Sequence, residues 1–138
     1  MCELKVAFEA INIYQTQYTQ VDKLWGYFSV VTLAMCGLAI GGKIPSSCFI
    51  ESLAIVAAYL IFCVGNHKAL IAGQKQLEQF ATIAKSCALK AELDVSSIKP
   101  IPHRQVKKFH LSVIAAVSIG VLIVALVSAP GVRIVVPT

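Results

Sequence analysis

FIESLAIVAAYLIFCVG, residues 49–65, continues without a proline into NHKALIAGQKQLEQFATIAKSCALKAEL, residues 66–93, and these two stretches read together decide the fold. The first is apolar on every side, with Glu51 its sole acid, which is the composition of a helix in lipid. The second places Leu70, Gly73, Leu77, Phe80, Ala84, Cys87 and Ala91 at alternating steps of three and four, the spacing of a coiled-coil seam. Helix-favouring Gln, Lys, Glu and Ala fill the positions between them. Asp94-Val95-Ser96-Ser97, then Pro100 and Pro102, stop the pattern. One helix is therefore predicted from 49 to 93, of which 66–93 extends roughly 40 Å beyond the apolar part.

Two more apolar runs flank it, Leu24–Ile40 and Leu111–Ala129. Each run is close to the roughly 20 residues that a helix needs to cross a hydrocarbon layer of about 30 Å. The chain is 57% hydrophobic and 14% charged, with mean hydropathy +0.76, too apolar for a soluble domain of this size. The reading is an all-α integral membrane protein with three transmembrane helices. Ahead of the first run, Leu4, Ala7, Ile11, Tyr14, Tyr18, Val21, Trp25 and Phe28 share one helical face. A cytoplasmic amphipathic helix over 1–23 thus continues into the first span, 24–41. The short connection through Gly42, Lys43, Pro45 and Ser46 makes the first two spans antiparallel. Their cytoplasmic extensions, 1–23 and 66–93, are expected to pair as an antiparallel helical hairpin. A basic turn over 94–108, a third span over 109–129 and an outer tail over 130–138, expected to fray, complete a single membrane domain.

The positive charge is uneven. Lys5, Lys23, Lys68, Lys75, Lys85, Lys90, Lys99, Arg104, Lys107 and Lys108 fall on one side of this arrangement, and Lys43 and Arg133 on the other. Basic loops next to membrane helices stay in the cytoplasm, so the bias puts a multi-pass protein in a bacterial-type inner membrane with its N-terminus inside and its C-terminus outside. Arg104, Lys107 and Lys108 are candidate contacts for anionic lipid headgroups, although topology alone accounts for their placement. The net charge of +5 lies beside a bilayer with no aromatic-basic platform, which argues for lipid contact and against nucleic acid.

Small residues recur four apart in all three spans: Gly37 and Gly41, Ala54 and Ala58, and Ser112, Ala116 and Gly120, with a second row at Val121, Ala125 and Ala129 in the third. Such rows let helices approach closely in lipid, within a chain or between chains. The five cysteines show no paired spacing, and Cys48 alone sits at the outer end of a span. His67, His103 and His110 lack the spacing that sets two metal ligands on one helical face. Ser112, Ser118 and Thr32 have no base at a matching depth, and Glu51 reads as a first-turn acid. No catalytic residue, metal or cofactor is assigned, and an enzyme is not expected. The function expected is an oligomeric or accessory subunit acting through helix–helix interactions, with Gly37, Gly41, Leu70, Leu77, Phe80, Ala84, Ala116 and Gly120 as the packing residues. Its partners are membrane lipids and, through the cytoplasmic helices, a second copy or another protein. The alternative is a pore-forming or membrane-disrupting homo-oligomer, which the lack of a polar stripe in any span weakens.

Overall fold

In the computed structural model of the chain, residues 2–41 and 49–127 are described. They form three helices, α1 (Cys2–Ile40), α2 (Phe49–Lys90) and α3 (His103–Val127), with no strand among them. All three are long and apolar enough to cross a membrane, with mean hydropathies of 1.5, 1.6 and 1.7 in their most apolar windows. The connection over 42–48 with Lys43 and Cys48, and the tail with Ala129 and Arg133, lie outside the described residues. Of Glu51 and Ala125 only the backbone is described.

The helix limits have local causes. Nothing in α1 or α2 removes a backbone donor, so each runs unbroken, for 39 and 42 residues. At the end of α2 the chain turns through Glu92, whose φ of 57° is left-handed. Leu93 N–H then donates to Ala88 O at 2.9 Å and Glu92 N–H to Leu89 O at 3.2 Å. Two carbonyls that the helix end would leave bare are thereby satisfied. The segment expected as a basic turn up to 108 is already helical from His103. Pro102 accounts for this, since its carbonyl accepts from Gln105 N–H at 2.9 Å and proline suits a helix start, so the basic residues ride on the first turns of α3.

The described chain divides into two compact units, the first of Met1–Gly26 with His67–Phe109 and the second of Tyr27–Asn66 with His110–Thr138. In the first, Val21, Leu70, Leu77 and Val106 form a buried cluster with Tyr14, Leu24, Trp25 and Ile71 against it. Ala81, Ala84 and Ile98 form another with Ala10, Ile11, Tyr14 and Val95. Gln17 Nε2 donates to Gly73 O and to Gln76 Oε1, both at 3.3 Å. Partners on α2 thus rise in number as those on α1 fall.

The buried line on α2 departs from the expected seam. Leu70, Gly73, Leu77 and Ala84 are inside as predicted, but Ala81 and Ala88 complete the line, while Phe80, Cys87 and Ala91 are half-buried beside it. At 100° per residue from Leu70, the three buried alanines fall within about 40°, and Phe80 and Cys87 about 80–100° away. A strict three-four spacing drifts around a helix of 3.6 residues per turn, and the partner follows the helix. Likewise Leu4 and Tyr18 on α1, expected inside, are 43% and 55% exposed. Ala10 and Gln17 are half-buried in their stead.

In the second unit, Phe28, Thr32, Met35 and Ala39 of α1, Val56, Tyr59, Cys63 and Asn66 of α2, and His110 and Val121 of α3 are buried. Polar groups among them are paired, Thr32 Oγ1 with Tyr59 Oη at 3.2 Å and Asn66 Nδ2 with His110 Nε2 at 3.4 Å. The His110 ring also packs 4.1 Å from that of Phe28. Burial away from water favours such pairing, although among the described residues the Ser118 hydroxyl of α3 is buried without a partner.

Candidate functional site

In the first unit, one turn of α2 holds the start of α3. Gln74 and Glu78 are four residues apart and so lie one above the other on α2. Gln74, 3% exposed, donates through Nε2 to Ile101 O at 2.6 Å. Glu78 Oε1 accepts from the His103 backbone N–H, and Glu78 Oε2 lies 2.9 Å from His103 Nδ1. The His103 N–H is in the first turn of α3, where no carbonyl of its own helix can reach it. A carboxylate there satisfies the donor and opposes the positive end of the helix dipole. Burial pushes the Glu78 carboxyl up, but the bonds to the His103 backbone and ring, with Lys75 nearby, outweigh it and hold the group below the usual carboxylate range.

Replacing Glu78 with Ala is expected to cost about 1–2 kcal/mol at neutral pH, as loss of a cap does. The depressed carboxyl contributes stability that is complete above its ordinary value of 4.5 and is lost as pH falls through its lower folded value. Thermal midpoints of the wild type should therefore fall on acidification below that point, and those of Glu78→Ala should fall less. Equal acid sensitivity in both would contradict the contact.

Beside this clamp lies a groove of about 520 Å³ lined from α1, α2, the connection before α3, and α3 itself. Val21, Leu77 and Val106 make its floor, and Trp25 and Phe109 stand at one end with ring centroids 6.0 Å apart. Lys99, Pro100 and Ile101 lie toward the end that Gln74 fastens. Asp22 is the acid in the lining. A smaller groove of about 230 Å³ is lined by Val6, Glu9, Ala10, Ile13, Phe80, Ile83 and Cys87.

The candidate residues from sequence therefore separate. Leu70, Leu77 and Ala84 are buried within the chain, whereas Phe80 lines the smaller groove. Arg104, Lys107 and Lys108 are exposed on the first turns of α3. Gly37, Gly41, Ala54, Ala58, Ser112, Ala116 and Gly120 are all exposed, and among the described residues a Cβ added at Gly37 or Gly120 would meet nothing within 4 Å. Among the described residues no three His, Cys, Asp or Glu side chains come together in a way that could hold a metal. Sequence reasoning missed Gln74, Glu78 and His103 as a set. The available signal was Pro102, which places an unsatisfied N–H at residue 103, together with two polar residues flanking Leu77 one turn apart.

Comparison of the chain with protein-family models, with curated proteins and with solved structures found no match.

Proposed function

We propose that this chain is a small integral inner-membrane protein that works as an oligomeric or accessory subunit, joined to its partners through helix faces within the bilayer. The observation that carries the reading is the exposure of one small-residue row on each span, Gly37 with Gly41, Ala54 with Ala58, and Ser112, Ala116 and Gly120, whereas Val121 of the second row on α3 is buried. A helix lined with small residues gains by close approach to another helix in lipid, and the open space at Gly37 and Gly120 is available to one from outside the chain. The charge bias supports an orientation with residues 1–23 and 66–108 in the cytoplasm. There, the oppositely ordered contacts of α1 and α2 support an antiparallel helical hairpin.

A pore-forming assembly finds less support. Exposed polar positions in the apolar segments, among the described residues, are Tyr27, Ser29 and Ser112, all near the cytoplasmic ends under this orientation. Thr32, Tyr59, Asn66 and His110 are buried and paired inside the chain, where they line no shared axis.

Mass measurement of the purified protein in mild detergent tests the proposal. The wild type is expected above the mass of one chain or bound to a copurified protein. The double variant Gly37→Leu, Gly120→Leu should weaken that association about tenfold, the size of a helix-packing contact in lipid. Because, among the described residues, nothing lies within 4 Å of a Cβ added at either position, the thermal midpoint of the chain's own fold should stay near the wild-type value. A wild type that is monomeric and alone would sink the reading.

A further inference from the structure

We infer that the larger groove is a seat for an anionic phospholipid of the cytoplasmic leaflet, with one acyl chain against Val21, Leu77 and Val106 and the phosphate beside Lys99 and Arg104. This inference rests on the membrane reading of the chain and not on its oligomeric state.

The two ends of the groove differ in a way that matches such a molecule. Trp25 stands at the start of the apolar run 24–40, and Phe109 two residues before the run 111–129. That end opens where the chain enters the hydrocarbon layer, and paired aromatic rings are at home there. From Trp25 back to Tyr18, α1 rises about 10 Å, so the groove crosses the headgroup layer. Its walls remain apolar over that distance, where water and headgroups would otherwise meet them: Tyr18, Ile101 and Phe109 are 55%, 60% and 61% exposed. A lipid at the protein surface can cover them by resting slightly higher than its neighbours, its chain passing Leu77 and Val21 before rejoining the bilayer at Trp25.

The far end supplies charge for the raised headgroup. Lys99 lines the groove, while Arg104 lies outside the lining, one residue before the lining Gln105 in the first turn of α3, where its long side chain can reach a headgroup standing above the groove. Both are exposed cations. Gln74 and Glu78 hold this end by fastening Ile101 and His103, so the seat is built before any lipid arrives. Asp22 in the same lining opposes a phosphate, and the Glu78 carboxylate at the fastened end is taken up by the His103 backbone and ring. The volume also suits a single chain, since a helix from another protein is about 10 Å across and would displace the walls.

Trp25 is the only tryptophan in the chain, so its fluorescence reports on the groove. The full-length protein is reconstituted in vesicles of phosphatidylcholine with a minor fraction of phosphatidylglycerol, with acyl-chain bromine, a contact quencher, on one lipid at a time. Brominated phosphatidylglycerol is expected to quench Trp25 on the order of tenfold more per lipid than the same fraction of brominated phosphatidylcholine, as two basic side chains acting together permit. Lys99→Glu with Arg104→Glu, and separately Ile101→Asp, should remove the excess, and Asp22→Asn should increase it. Lys85→Glu with Lys90→Glu, an equal change of charge remote from the groove, should leave it. Equal quenching by the two lipids overturns the seat, as does equal loss in the remote variant. Absence of quenching when every lipid is brominated overturns instead the membrane reading on which the seat depends.

Discussion

Leu77→Ala is expected to destabilise the first unit by about 3 kcal/mol, and Phe80→Ala by about 1 kcal/mol or less, although phenylalanine is the larger side chain. The order follows from burial. Leu77 is 2% exposed within a cluster formed with Val21, Leu70 and Val106, so truncation removes those apolar contacts and leaves a space beneath the floor of the larger groove. Phe80 is half-buried on a groove wall, where water or a neighbour can fill the space. Amide hydrogen exchange of residues 67–90 in detergent micelles measures the opening free energy locally, without requiring the whole chain to unfold reversibly. A larger loss at Phe80 than at Leu77 would restore the seam read from sequence spacing and refute the line through Ala81 and Ala88.

Gly73→Leu is expected to cost about 2–3 kcal/mol by the same measurement, while Gly73→Ala should cost about 1 kcal/mol or less. A Cβ built at Gly73 lies 3.2 Å from Val21 Cγ2 and 3.6 Å from Gln17 Nε2. One methyl group asks those side chains to move by a few tenths of an ångström. A leucine cannot enter without separating α1 from α2, and that separation would also break the bonds of Gln17 to Gly73 O and Gln76. Two opposed effects act in Gly73→Ala, since alanine also favours the helix by about 1 kcal/mol relative to glycine. Near-neutrality of Ala with a large loss for Leu is therefore the signature of a close helix crossing. A tolerated leucine would show that α1 does not rest on α2 at this level.

Much of this was legible along the chain because it depends on local composition and periodicity. The absence of proline inside 2–40 and 49–90 dictates unbroken helices, and apolar runs of membrane length dictate three candidate spans. Leu70 and Leu77 were placed inside because both lie where a seven-residue repeat returns to the same face. Phe80 and Cys87 lie off the line buried within the chain because two faces about 80–100° apart carry similar apolar spacing, and periodicity alone does not choose which of them α1 covers. The choice belongs to the partner helix, which approaches alanine more closely than phenylalanine.

The contacts that make the candidate site needed the tertiary structure for a different reason. Glu78 and His103 are 25 residues apart, and the turn that brings them together depends on the left-handed Glu92 and on Pro102. No periodic signal links them. The outward placement of the small-residue rows was equally open, since a glycine row can face a neighbour in the same chain, another chain or lipid. The sequence by itself determined that there are three long helices, which of them are apolar enough for a membrane, and where their cations cluster, because each of these is a property of a single segment. Which faces meet, which stay exposed, and that a groove forms between Trp25 and Lys99 were decided only by packing. Packing energy depends on how several segments fill the same space, and no one segment encodes it.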